Sequence, residues 1–150
     1  MKLRLFIFCV ILMSTVETFA QIEYKVITSV ESIVPSGLGR SRLISSNEER
    51  NYAEFSSERS EEDDERNKSK RSDIRVKDFE ETKLLNFYNI GGIRFQNIVA
   101  NDAVISSKLT AMAEEGWQLV FVTSAVESDA GKNDGQGIFI TRYIFSRTRP

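Results

Sequence analysis

The chain has 150 residues, of which 41% are apolar and 28% charged, with 20 basic and 22 acidic side chains and a formal net charge of −2. That length and balance fit one modest soluble domain and exclude a collagen-like or wholly disordered chain. Without a basic excess there is nothing to draw the protein onto nucleic acid, and the absence of histidine removes His-based acid–base catalysis, the Ser-His-Asp triad and the usual zinc sites.

Lys2 and Arg4 precede an apolar run from Leu5 to Met13, followed by Ser14-Thr15 and the small Ala20. This is the order of a secretory signal peptide, read as residues 1–20 with cleavage after Ala20. A run of about nine apolar residues is too short for a helix to cross hydrocarbon about 30 Å thick, so no permanent membrane anchor is expected. Cleavage removes Cys9, the single cysteine, and leaves a domain (21–150) without disulfide, thiolate or sulfur ligand. Phe6-Ile7-Phe8 lack the small residues that precede a lipidated cysteine.

Ile22, Tyr24, Val26, Thr28 and Val30 alternate with Glu23, Lys25, Ile27 and Ser29, which predicts a half-buried strand with the first set on its packed face. Pro35, Ser36, Gly37 and Gly39 interrupt it, and Arg40–Ser45 is a shorter strand that pairs back as a hairpin. From Asn47 to Asp73, acidic and basic residues alternate with serines and only Tyr52, Ala53 and Phe55 are apolar; this composition predicts a mobile, charged insertion. Within it, the acidic run from Glu61 to Glu65 lacks the spacing and glycine turn of a calcium loop and reads as a solvated charge run, so no metal is implied.

Residues 74–99 are apolar and of mixed character. A helix is predicted from an Asn101 or Asp102 cap to Glu115, with Ile105, Leu109 and Met112 on one face and Gly116 in the left-handed position after it. Trp117, Leu119, Phe121 and Thr123 then alternate in a strand, a Gly/Asn/Asp-rich loop covers 129–137, and Ile138–Arg147 returns as the second arm of a hairpin. Together these elements predict an α+β two-layer sandwich, with a mainly antiparallel sheet of three to five strands and one main helix on one face.

Four side chains stand out as candidate ligand or partner contacts. Arg40 and Arg42, two apart on a strand, share a face and could grip a carboxylate or phosphate; the alternative is that they solubilise an edge or pair with Glu48 and Glu49. Trp117 is either a core residue packed on the helix or a stacking surface for a ligand. Arg142, between Ile140 and Ile144, either pairs with a buried acid or marks a face open to a partner. The turn Gly37-Leu38-Gly39-Arg40 lacks the remaining features of a phosphate loop.

Glu23-Tyr24-Lys25-Val26, Glu115-Gly116-Trp117-Gln118-Leu119-Val120 and Tyr143-Ile144-Phe145-Ser146-Arg147 resemble the E-Y-K-V strand, E-G-W-x-L-V turn and Y-x-F-x-R strand of a family of small bacterial domains of unknown function. The chain departs from that pattern by its signal peptide, its insertion at 47–73 and the segment 87–101. The resemblance implies a bacterial, exported protein, periplasmic where the cell has two membranes, and supplies neither catalytic residues nor a cofactor. Three functions are weighed. The first is a non-catalytic binding or assembly module of the cell envelope, joined to a protein partner or to its own copy through a strand edge. The second is a small-molecule or anion-binding domain built on Arg40, Arg42 and Arg142. The third is a carboxylate-dependent enzyme, which needs two acids about 5 to 10 Å apart in a cleft.

Overall fold

The computed structural model describes residues 21–32, 41–62, 66–89, 91–126 and 137–149. The predicted signal segment and its cleavage site, the turn containing Arg40, part of the acidic run and nearly all of the predicted 129–137 loop lie outside the described residues. Five strands form one antiparallel sheet: β1 (Ile22–Ser32), β2 (Arg42–Ser46), β3 (Phe79–Lys83), β6 (Gln118–Val126) and β7 (Ile138–Thr148), in the spatial order β3-β2-β1-β7-β6. A minor ribbon of β4 (Tyr88–Asn89) and β5 (Gly92–Ile93) leads into α1 (Phe95–Glu114), which covers one face of the main sheet. The chain is thus an α+β two-layer sandwich with one main helix.

The centre of the sheet follows from its two longest strands. β1 and β7 pair along their whole length, with Ile27 opposite Tyr143 and Lys25 opposite Phe145, while β2 joins the far side of β1 with Ile27 opposite Ser45. On the helix side, Ile27, Leu43 and Phe145 meet Met112 and Trp117, with Leu84, Leu109 and Tyr143 completing the cluster. Met112 is fully buried and Leu109 packs beside it, as the predicted helical spacing requires.

The helix begins at Phe95, six residues before the predicted cap, and its N-terminal residue Arg94 makes no side-chain capping bond. Entry is instead organised by the β4–β5 ribbon, where Gly92 takes φ +98° and the Arg94 amide donates to the Phe87 carbonyl at 2.7 Å. Asn101, read as a cap, sits inside the helix and is 1% exposed. The C-terminus is as expected: Gly116 takes φ +83°, its amide donates to Ala113, and the Trp117 amide donates to Met112. That pair of bonds is a Schellman closure, and it delivers Trp117 from the end of the helix into the core.

The alternation of β1 is real, but its packed face is the other one. Ile27 and Ser29 are buried against the helix, whereas Ile22, Tyr24 and Val26 are 58%, 66% and 44% exposed on the opposite face. The helix-side layer is built around small polar residues, Ser29, Ser41, Ser45 and Asn101, all buried, and no buried side-chain polar atom among the described residues lacks a hydrogen-bond partner. Small hydroxyl side chains let the helix lie close, and their bonds to the backbone and to Asn86 offset the loss of water. A second correction concerns β6. A bulge between Leu119 and Phe121 places Leu119 opposite Phe145 but Phe121 opposite Ile144, so the two lie on opposite faces.

The described residues of 47–73 include a 3-10 turn, Tyr52–Phe55, capped by Asn51, while Asn67 holds the carbonyls of Glu54 and Ser56. The base of this excursion is closed by Glu48, whose carboxylate accepts from the amides of Asp78 at 2.6 Å and Lys77 at 2.7 Å and from the Arg50 guanidinium. These donors, the Asp78 amide foremost, lower the Glu48 pKa from 4.5 to about 2. Because the folded value is depressed, the contribution of this clip is complete above pH 4.5 and is lost as pH falls from 4.5 towards 2. Hydrogen exchange followed by NMR should show the Lys77 and Asp78 amides losing protection over that window. In Glu48→Ala the same amides should exchange at least about tenfold faster at neutral pH; unchanged protection would show that the clip does not hold the segment.

Candidate interaction surface

Of the sequence-predicted contact residues, Trp117 lies on the helix side of the sheet and Arg42 and Arg142 on the opposite face. Trp117 lies on the helix side, 8% exposed, with the Arg147 guanidinium carbon 4.3 Å above its ring centroid. Arg147 is held there by Glu23 and by the Glu115 carbonyl, so the indole is a core residue with a cationic roof. Hydrogen bonding from Arg147 holds the Glu23 carboxyl below its usual pKa, against an opposing effect of burial. Arg149 approaches Glu23 and Glu49 at 3.5 Å each. An open groove of about 1020 Å³ runs past Tyr24, Tyr52, Trp117 and Arg147, and among its ionic groups Glu23, Glu49, Arg147 and Arg149 are paired with one another.

Arg42 faces away from the helix, in register with Val30 and Lys83, and its Nε donates to Glu81 at 2.6 Å. Its partner is therefore Glu81 on the neighbouring strand, and not the Glu48 or Glu49 proposed from sequence proximity. Arg40 lies outside the described residues. Arg142 stands exposed on the face away from the helix, opposite Thr28 and Thr123, and has no ion-pair partner among the described residues. Arg142 thus pairs with no buried acid among the described residues.

That face carries several exposed apolar side chains. Register places Val26 and Val30 of β1 opposite Ile144 and Ile140 of β7, Ile22 and Tyr24 further along β1 opposite Thr148 and Ser146, and Phe121 of β6 opposite Ile144. Phe121 is 60% exposed. Such a contiguous apolar patch marks interaction sites more often than free surface. The patch reaches the sheet edge at β6, all nine of whose residues are exposed. Sequence analysis missed this edge, although the signal was present: no charged residue occurs from Gln118 to Val126.

The opposite edge is built differently. β3 carries Glu80, Glu81 and Lys83; Glu80 takes a 2.8 Å ion pair from Lys108 of α1, which keeps its carboxyl below the ordinary value. Charged side chains blunt an edge against further pairing, and β6 has none. No group of three or more metal-ligating acids, cysteines or histidines occurs among the described residues, and no described helix is long and apolar enough to cross a membrane.

Fold and surface together define a class, a small α+β sandwich with one covered sheet face and one open apolar face ending at an unprotected edge. In comparison with known proteins, no family model matches the chain, and neither a curated protein nor a solved structure matches it.

Proposed function

We propose that this chain is an exported, non-catalytic binding or assembly module of the bacterial cell envelope that works through its open sheet face and the β6 edge. The signal-like N-terminus supports export. The observation that carries the reading is β6, a nine-residue edge strand exposed along its length and free of charge. An edge of this kind offers unpaired backbone groups for main-chain recognition and apolar side chains on both faces for specificity. Arg142, amid the apolar side chains of the same face, adds a fixed positive charge that orients a partner. Anion binding through Arg42 has less support, because Glu81 already neutralises that guanidinium.

A photoreactive phenylalanine analogue at Phe121, expressed in intact cells, tests the reading. Irradiation should give a discrete adduct from this position and none from Thr110 on the solvent side of the helix. Equal labelling at both positions, or none at Phe121, would sink it.

A further inference from the structure

Resting on that reading, we infer that the occupant of the β6 edge is a second copy of this chain, paired antiparallel across a two-fold axis so that the two sheets become one. Three observations favour self-pairing over a foreign strand.

Charge comes first. An isologous pair places each residue of a strand against another from the same strand, so any charged residue near the axis would meet its own sign. From Gln118 to Val126 there is none, whereas β3 would bring Glu80 and Glu81 against their own copies.

Area comes second. Leu119 and Val122 point to the helix side of the sheet yet are 45% and 46% exposed, and neither belongs to the buried cluster that α1 makes with β1, β2 and β7. With Val120, Phe121 and Val126 they leave on the order of 400 Å² of apolar surface open, about half of the roughly 800 Å² per partner in a stable interface. Backbone pairing along the strand, about 30 Å long at 3.4 Å per residue, and the adjoining side chains of β7 supply the remainder.

Shape comes third. The bulge at Val120 increases local twist near one end of β6, and the stretch from Phe121 to Val126 stays in unbroken register with β7. An edge in regular register is the part that can accept a copy of itself. Pairing centred near Val122 would set Phe121 against Thr123 of the second copy on the open face, extending one apolar surface across both subunits.

The test uses the protein recovered from cells expressing the full-length chain, with Val122→Lys and Val122→Glu as variants and sedimentation as the readout. The wild type should be dimeric at about 100 µM. Each variant alone should be monomeric with an unchanged far-UV circular dichroism spectrum, its self-association at least about 100-fold weaker. An equimolar mixture of the two should recover the dimer, since lysine then faces glutamate across the axis. A wild type that stays monomeric, variants that stay dimeric, or a mixture that fails to reassociate would each overturn the proposal. A monomeric wild type that still gives a Phe121 adduct of foreign mass would overturn self-pairing and leave the binding reading standing; no adduct would remove both.

Discussion

Replacing Phe145 with alanine is expected to lower the unfolding free energy by about 4 kcal/mol, the upper part of the range for removing a buried aromatic side chain. Phe145 is 1% exposed at the centre of β7, held between Lys25 of β1 and Leu119 of β6, with its ring in the cluster that joins the sheet to Met112 and Trp117. That cluster is small: Ile27, Leu43, Leu84, Met112, Trp117 and Phe145 are its buried hydrophobic members. With so few members the void is poorly refilled by neighbours, since Ile27 and Leu43 are fixed by strand register and Met112 by the helix. Against a total stability of about 5–15 kcal/mol for an ordinary domain, such a loss leaves the fold marginal. Urea unfolding should show the midpoint displaced by about 2 M at constant slope. A loss under about 1.5 kcal/mol would show that the ring is not a keystone of this core.

What the sequence revealed, and what it concealed, divides along physical lines. Period-two alternation located β1 and β6, turn- and loop-forming residues delimited β2 and β7, and the glycine at 116 located the end of the helix, because these signals depend on a few consecutive residues. Alternation identifies two faces but not which is covered. In β1 the face richer in apolar groups was assigned to the core, yet the helix covers Ile27 and Ser29 and leaves Tyr24 and Val26 open. The assumption failed because the helix-side layer includes buried serines and an asparagine beside Ile27, Leu43 and Phe145, and the polar atoms of those residues find partners only after folding.

The contact residues show the same division. The core role of Trp117 follows from its place after a helix-ending glycine, a local signal. The partner of Arg42 does not, because Glu81 is 39 residues away and reaches it only through the β2–β3 register. Nor could a strand such as Phe-Glu-Glu-Thr-Lys be recognised from composition, since β3 is an exposed, charged edge with little apolar patterning. The bulge at Val120, which moves Phe121 to the open face, left no local mark either.

Asn101 is where the concealed polar layer can be tested most directly. Its side chain accepts from the Leu85 amide at 2.7 Å, donates to the Leu85 carbonyl at 2.8 Å and donates to Glu31 at 2.9 Å, joining α1 to the segment after β3 and to β1. Asn101→Ala removes a single amide but strands both backbone groups of Leu85, next to the buried Leu84, and one carboxylate oxygen of Glu31. The expected loss is about 3 kcal/mol, larger than truncation of an ordinary surface asparagine, because each abandoned group retains its desolvation cost. Asn101→Asp discriminates this account from simple loss of packing. The aspartate has nearly the same shape, yet at neutral pH it offers no donor to Leu85 or Glu31 and sets a second carboxylate beside Glu31. Burial and that neighbouring charge raise its folded pKa, so its deficit should grow as pH rises and shrink as acid restores a proton that can be donated. Thermal unfolding of the two variants from pH 4 to pH 8 measures both effects. If Asn101→Asp is as stable as the wild type at neutral pH, the amide donors are not what ties the helix to the sheet.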